Sequence, residues 1–510
     1  AYADALLKYD RTFNNLSVLA YAGGSYSKRN WSGMGANNGT NNLLYPNVFS
    51  TQNYPTNTVV SEYGGETILQ SLYASATIGY GDFVYVDFSG RNDWSSTLVG
   101  TEDGASYFYP SVGVVAIVSN MFTMPDAISF LKLRASSAQA AKEVPWNAIR
   151  SDHSISGSLG GINRNTRQPW TDLRPEIIRS NEIGGEIRLF VGRLGLDFTY
   201  YNNTSKDQFL NVSLPPEERG LYTSKNINVG EILNKGYEIT LDGIPVQTPK
   251  FQWRTAFNFH TNDNEIIELD PDNPNRIINL GSSEGYRTFL RKGGSYGDLY
   301  GYMFRRTDDG KMMIDETTGR PLRTQRQYDP EDWTVGYFGN LEPDFTLGWN
   351  NNLDINRLSI GLLITGKFGG KVVSQTESML DGWGVSKRSG DARDVGYVEI
   401  DGMQGDTPVT QIDPFSYFAE GGGIGGRNGI LEPYVYDRTN IRLSQLSIAY
   451  DFDLSGIDFI QEATVSLVGQ NLFIFYKKAP FDPELAMNTG NSAQSLDNFN
   501  VPATRTYGFN

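Results

Sequence analysis

Leu194-Gly195-Leu196-Asp197-Phe198-Thr199-Tyr200 puts an apolar residue at every even position and a small or polar one at every odd position. Ile183-Gly184-Gly185-Glu186-Ile187-Arg188-Leu189 precedes it with the same period, and only Val191-Gly192-Arg193 and its neighbours join the two. The next run of this kind, Tyr237-Glu238-Ile239-Thr240-Leu241-Asp242, comes after a long connection. Phe251-Gln252-Trp253-Arg254-Thr255-Ala256-Phe257-Asn258-Phe259 follows it closely. Period-two runs joined by connections that alternate short and long are how an antiparallel barrel threads a membrane.

The composition fits. The chain has 510 residues, no cysteine, 55 Gly, 8 Trp, 29 Tyr, 27 Phe and a formal charge of −15. Mean hydropathy is −0.39, and no apolar run approaches the ~18 residues a membrane helix needs. Barrel strands escape that test because only every second residue meets lipid, and interfacial girdles use many aromatics. Without cysteine, disulfide frameworks and thiolate metal sites are excluded. The acidic balance argues against a nucleic-acid partner. Ala1-Tyr2-Ala3-Asp4 has neither the basic nor the apolar region of a signal peptide. The last run, Ala503-Thr504-Arg505-Thr506-Tyr507-Gly508-Phe509-Asn510, reads as a strand that stops early.

Fourteen strands are expected, at 14–22, 68–80, 82–90, 107–118, 128–136, 182–190, 194–201, 235–245, 251–260, 344–353, 357–366, 438–452, 461–476 and 503–510. Their connections alternate between short turns and long loops, the long ones including 23–67, 137–181, 261–343 and 367–437. A soluble sandwich shows no such two-sided bias, and no repeat of about 20 to 50 residues suggests a propeller or solenoid. The polar face carries Glu186, Arg188, Glu238, Asp242, Arg254 and His260. That is too much charge for a dry core, so it is assigned to a wet lumen and the apolar face to lipid. In 438–452 the phase changes between Leu443 and Leu446, which predicts a β-bulge near Ser444-Gln445.

Several segments resemble, in order, motifs of the SusC/RagA family of TonB-dependent outer-membrane transporters. They are Phe88-Ser89-Gly90-Arg91-Asn92-Asp93-Trp94-Ser95-Ser96, Leu131-Lys132-Leu133-Arg134-Ala135-Ser136 and Asn234-Lys235-Gly236-Tyr237-Glu238. Gly339-Asn340-Leu341-Glu342-Pro343-Asp344-Phe345, Tyr436-Asp437-Arg438-Thr439-Asn440-Ile441-Arg442-Leu443 and Gly469-Gln470-Asn471-Leu472-Phe473 continue the series. Asp482-Pro483-Glu484 and Pro502-Ala503-Thr504-Arg505-Thr506-Tyr507-Gly508-Phe509 complete it. Ala138-Gln139-Ala140-Ala141-Lys142-Glu143 departs from the family's G-x-x-G-N turn. The resemblance implies an all-β fold, a transmembrane antiparallel β-barrel. Residues 1–510 would be its C-terminal portion, about 14 strands of a barrel of about 22. Long loops would be extracellular and short turns periplasmic. Signal peptide, TonB box and plug domain would lie outside this chain.

Candidate chemistry is sparse. Neither His153 nor His260 stands near a serine and a carboxylate in the pattern of a triad. Gly421-Gly422-Gly423-Ile424-Gly425-Gly426 follows no buried strand and opens no helix, so it reads as a flexible surface loop rather than a phosphate cradle. Asp308-Asp309-Gly310 with Asp315 and Glu316, and Asp270-Pro271-Asp272-Asn273, hold the oxygen ligands calcium takes. Their spacing favours ordinary β-turns. No cofactor is expected, with a structural Ca²⁺ in the extracellular loops as the alternative. Among the loop aromatics, Trp170, Trp333, Trp383 and Tyr417 are the candidate contacts to substrate or to a lid protein, because aromatic faces stack on sugars and anchor interfaces.

The leading expectation is a nutrient importer of a Gram-negative outer membrane, not an enzyme. The resemblance implies oligosaccharide or peptide cargo, a SusD-like surface lipoprotein as lid, and TonB acting through the N-terminal region. It also implies a dimer of SusC–SusD pairs as one arrangement. A passive porin and a secreted β-rich glycan-binding protein or hydrolase are the alternatives.

Overall fold

The computed structural model describes every residue except 38–41, 56–58, 102–103, 147, 151–152, 156–161, 171, 215–218, 272, 284, 330, 454–462, 485–494 and 510. All fourteen expected strands are present, and most run longer than expected. In chain order the long strands are β1 (Tyr2–Phe13), β2 (Leu16–Asn37), β3 (Val59–Tyr80), β4 (Val84–Ser95) and β5 (Ser106–Ile117). Then come β6 (Ile128–Lys142), β7 (Glu176–Leu189), β8 (Leu194–Ser213), β9 (Ser224–Thr248) and β10 (Phe251–His260). The last are β11 (Phe345–Ile355), β12 (Leu358–Phe368), β13 (Asn440–Asp451), β14 (Thr464–Lys477) and β15 (Thr506–Phe509). β1 is the addition. Its adjacent Leu6 and Leu7 break the alternation that reveals the others.

Two compact units are distinguished. The first comprises Ala1–Phe122, Lys132–Ile183 and Asn202–Ile232. Here β1 to β6 pair antiparallel, each with the next. Tight turns close one edge. Gly81 N donates to Asn15 O (2.7 Å) and Ile117 N to Phe83 O (2.7 Å), tying neighbouring turns together. Asn14, Gly81 and Asp82 take the left-handed backbone such turns need. β2 and β3 have 22 residues each. At ~3.3 Å per residue each reaches roughly 70 Å, far more than the 9–11 residues that cross a bilayer. The extra length lies beyond the expected strand limits because period-two alternation weakens once both faces meet water.

The second unit comprises Thr123–Leu131, Gly184–Tyr201 and Leu233–Asn510. β9 to β15 pair antiparallel in sequence. Their register aligns apolar side chains into rows. One row is Val246, Trp253, Leu353, Ile360, Ile448, Leu467 and Phe509. Another is Leu241, Phe257, Trp349, Ile364, Leu443 and Phe473. Leu241, Phe257, Leu347, Ile448, Leu467 and Phe473 are exposed to the surroundings, as lipid-facing residues are. The bulge expected in 438–452 is there: the register of β13 slips between Leu363/Ile364 of β12, and again against β14 between Leu443 and Gln445. It restores Leu443 and Leu446 to one face.

The opposite face is wet and ion-paired. Arg188 meets Asp242 at 2.8 Å and Glu186 at 3.0 Å, and Arg254 meets Asp354 at 2.7 Å. Gly195 makes room for the first pair, since a Cβ there would lie 2.4 Å from Arg188 Nη1. Within this unit the short turns share one edge: Asn356 N donates to Lys250 O (2.9 Å) and Asp451 N to Arg357 O (2.9 Å). The connections 261–344 and 369–439 leave from the other ends of the strands, at His260 and Phe368.

The facing yields a test. Leu362→Arg, on the lipid side, should cost about 2–4 kcal/mol of folding free energy in vesicles. Gly348→Ala, on the lumen side, should be nearly neutral, because its Cβ would meet nothing nearer than Asn258 Nδ2 at 3.7 Å. Equal losses in a refolding titration would reverse the assignment of faces.

Candidate functional site

The long connections of the second unit are not slack. Their residues build short sheets: Ile278–Ser283, Tyr286–Leu290, Asp298–Gly301 and Tyr337–Asn340 form one, and Lys371–Ser374, Val435–Asp437 and Leu496–Asp497 another. Met312–Ile314, Val398–Gln404 and Thr407–Ile412 make a third. Behind them lies a core of Tyr286, Leu299, Phe304, Ile314, Phe338, Ile412, Phe418, Ile424, Leu431, Tyr434 and Leu496. Three helices complete the assembly, α1 (Gln375–Gly382), α2 (Lys387–Val395) and α3 (Pro414–Phe418). Each opens on a side-chain cap, from Ser374, Ser386 and Asp413 respectively.

A buried polar knot locks the helices. Asp381 is 1% exposed. It accepts from Arg388 Nε (2.6 Å), Tyr434 Oη (2.8 Å) and Ser386 Oγ (2.5 Å). Arg388 also lies over the Tyr434 ring at 4.7 Å. Burial, reinforced by Asp381, pushes the Tyr434 hydroxyl far up. The glycine-rich stretch expected to be a flexible loop is packed instead. Gly426 N donates to Ser378 O (2.8 Å), and a Cβ on Gly425 would lie 2.4 Å from Gly382 N. Gly425 and Gly426 serve backbone-to-backbone contact with α1, for which sequence carries no periodic signal.

Trp333 borders a polar cleft of about 690 Å³, together with Arg291, Asp298, Tyr337, Asn340 and Asp344. The ring is 44% exposed. Arg291 covers one of its faces at 4.5 Å, and Tyr337 meets it edge-on at 5.3 Å. The turn that presents it is held by Asp332, which accepts from Thr334 N (3.1 Å) and Thr334 Oγ1 (2.6 Å). Asp298 organises the floor. It is 2% exposed and accepts from Ser295 N, Tyr337 Oη and Asn340 Nδ2 at 3.0, 3.2 and 3.1 Å. Burial and Asp298 together push the Tyr337 hydroxyl up to about 12.

Trp383 borders a second cleft of about 400 Å³ with Arg393, Pro414, Phe415 and Phe418. It stacks on Phe499, centroids 6.0 Å apart. Residues lining one cleft do not line the other. Tyr417 is half-buried, packs on the core and meets Phe418 edge-on at 5.0 Å. Trp170, in the first unit, packs on a small core of Leu98, Val144, Ala148 and Leu173 beneath Lys225 (5.0 Å). Of the four expected aromatics, Trp333 and Trp383 line clefts, and Trp170 and Tyr417 pack against cores.

The model of the β-barrel of TonB dependent receptor-like proteins matches residues 2–363. The chain belongs to this family. TonB-dependent receptor P3 of Formosa agariphila is 27% identical over 98% of this chain and 51% of its own length. TonB-dependent receptor P26 of the same bacterium is 26% identical over 92% of this chain and 48% of its own length. The chain thus spans about half the length of the curated relatives it matches. The RagAB peptide importer in its open-open state superposes on 99% of this chain and 53% of that chain, with a TM-score of 0.73 at 18% identity. That likeness shows the fold: a barrel of the TonB-dependent receptor type, as the SusC/RagA motifs imply.

Those motifs now have physical roles. Arg91 donates to Asp93 (2.7 Å) and to Ser71 Oγ (2.8 Å), and Tyr109 Oη donates to Asp93 (2.5 Å). Gly236 lets its strand approach the next, since a Cβ there would sit 2.0 Å from Thr261 O. Asn340, Glu342 and Asp344 line the Trp333 cleft. Arg442 pairs with Asp482 (2.8 Å) and Glu484 (3.4 Å), and Lys478 with Asp437 (2.9 Å). The remaining candidates have ordinary tasks. His260 stacks on Tyr201 at 6.3 Å, and His153 accepts from Asn165 N at 3.1 Å. Asp315 accepts from Thr317 N, Thr318 N and Thr318 Oγ1 of its own turn. Asp309 accepts from Thr307 Oγ1 at 2.5 Å. Asp272 lies outside the described residues.

The strap from 478 to 484 should be acid-labile. Burial works against both carboxylates, yet Thr439 and Lys478 hold Asp437 down to about 2, and Arg442 and the Glu484 N–H hold Asp482 below its usual range. A folded pKa below the ordinary ~3.9 stabilises above that value and is lost as pH falls through the folded one. Hydrogen exchange at 435–442 and 478–484 should therefore rise between about pH 4 and pH 2, ahead of β9 to β12. Lys478→Met should raise the midpoint. Simultaneous opening of strap and strands would refute it.

Proposed function

We propose that the protein is a TonB-dependent importer of the outer membrane, taking up oligosaccharide or peptide cargo. The asymmetry of the second unit carries this reading. One end of its strands has tight turns, and the connections at the other end build a cored assembly with aromatic clefts. A passive pore needs no such assembly. Two further findings support the reading: the family is one of receptors, and the RagAB peptide importer shares the fold.

In this proposal the loop assembly is extracellular. Cargo stacks on the open face of Trp333, while Asn340 and the cleft carboxylates take its polar groups. Trp383 and Phe415, exposed at 52% and 69%, are the contact for a SusD-like lipoprotein lid. A plug domain and a TonB-contacting segment complete the transporter from outside residues 1–510. Transport by binding and gated passage breaks no bond and calls on no cofactor.

Two variants separate the roles. Trp333→Ala should weaken cargo binding about tenfold, near 1.4 kcal/mol, and leave lid recovery unchanged. Trp383→Ala should reduce lid co-purification from membranes and leave cargo affinity unchanged. Full affinity and full lid recovery in both would leave these rings as loop packing. A large, unblocked ion conductance of the purified protein in planar bilayers would favour a porin.

A further inference from the structure

The lipid side of the second unit carries a notch. It measures about 390 Å³ and lies over Gly243, between Phe190, Leu194, Leu241 and Phe257. Three features make it. Gly243 has no side chain where its strand neighbours do, and a Cβ there would lie 3.3 Å from Arg193 O and 3.6 Å from Leu194 Cδ1. The register of β9 against β10 slips between Gly243 and Val246, so Ile244 and Pro245 bulge out of the ladder. Thr255, opposite Gly243, is short and fully satisfied: it accepts from Trp349 Nε1 (2.9 Å) and donates to Asn350 O (3.3 Å). Asp242 also lines the notch, but its carboxylate is paired with Arg188 (2.8 Å), so the floor is mainly apolar.

The rim differs from the floor. Arg193 lines the notch and sits in the short turn after β7, at the strand edge where Ile244 N donates to Arg193 O (2.8 Å). Its guanidinium is pinned by Nη2 donating to Ile244 O and Pro245 O, both at 3.1 Å. Among the described residues Nη1 makes no hydrogen bond, and Arg193 is exposed. A fixed cation beside an apolar hollow, on a face whose surrounding rows meet acyl chains, matches a phosphate ester attached to a hydrocarbon tail.

We infer that this notch is a specific phospholipid site, with one acyl chain over Gly243 and the headgroup phosphate at Arg193. The inference stands on the facing of the strands and is independent of import. A bound lipid there would fill the gap the bulge leaves between β9 and β10 and brace the turn at Arg193.

The test counts lipids retained by the protein purified from outer membranes, using native mass spectrometry after graded delipidation. The wild type should keep one phospholipid. Gly243→Leu, which fills the hollow, and Arg193→Gln, which removes the charge, should each lower retention about tenfold. Heat-modifiable gel mobility checks that both variants still fold. Leu467→Ala, on the same lipid side but away from the notch, should retain lipid as the wild type does. Equal retention in all variants, no retained lipid in the wild type, or lipopolysaccharide or detergent as the retained species would overturn the inference.

Discussion

Inside a bilayer no water is available to pair a backbone N–H or C=O, so each must find its partner in the chain. Everything else in this protein follows from that ladder. Residue-by-residue pairing from β9 to β15 fixes which side chain stands beside which. It thereby converts a period-two sequence into continuous rows of Trp, Leu, Ile and Phe on one face and ion pairs on the other. The same requirement makes local faults informative. Where β13 carries an extra residue at Ser444, the ladder absorbs it as a bulge rather than letting every following side chain change sides.

Beyond the lipid the requirement lapses, and a different one takes over. Loops of this length must bury their own apolar surface or remain disordered. The loop assembly of the second unit does so with its own core, Leu299, Val373, Leu431 and Leu496 being wholly buried. It also contains what a lipid-facing strand could not hold at modest cost: Asp381, buried and met by three donors. The wet lumen and the cored loops are thus two solutions to one problem, where to place polar groups in a chain whose other face meets hydrocarbon.

The difference between these regimes decides what could be read in advance. Alternation in 251–260 gives the strand with the same limits the structure shows, because both ends coincide with the membrane's demand for alternation. It misses the outer halves of β2, β3, β8 and β9, where pairing continues without that demand. It misses β1, whose Leu6-Leu7 pair spoils the phase. The candidate site was legible only in part. Trp333 and Trp383 stand out as loop tryptophans. Arg291, Asp298 and Tyr337 do not, because they are brought to Trp333 by a sheet that pairs 286–290, 298–301 and 337–340. Long-range pairing of that kind leaves no periodic trace. The segment 421–426 misleads for the opposite reason: glycine selected for close packing looks like glycine selected for flexibility.

Several of the segments that resemble family motifs lie where one regime gives way to the other, while Leu131–Ser136 and Gly469–Phe473 lie within β6 and β14. Arg91 and Asp93 stand near the far end of β4, Gly236 at the approach of β9 to residue 261, and Asn340 to Asp344 immediately before β11. Asp437 to Arg442 opens β13 and is strapped by Lys478, Asp482 and Glu484. At such a junction the chain leaves a strand whose direction is set by the ladder and must enter a loop whose path is set by its own core. Hydrophobic contact cannot specify that angle, being non-directional. Charge-assisted hydrogen bonds can, because an Arg fork or a buried Asp accepts partners in few geometries. Arg438 shows the scale of the demand. It is drawn so far out of water that burial lowers its pKa, and its guanidinium donates to the carbonyls of Leu341 and Pro483. One side chain thereby joins three connections that are distant in sequence, and the clefts at Trp333 and Trp383 inherit their shape from joints of this kind.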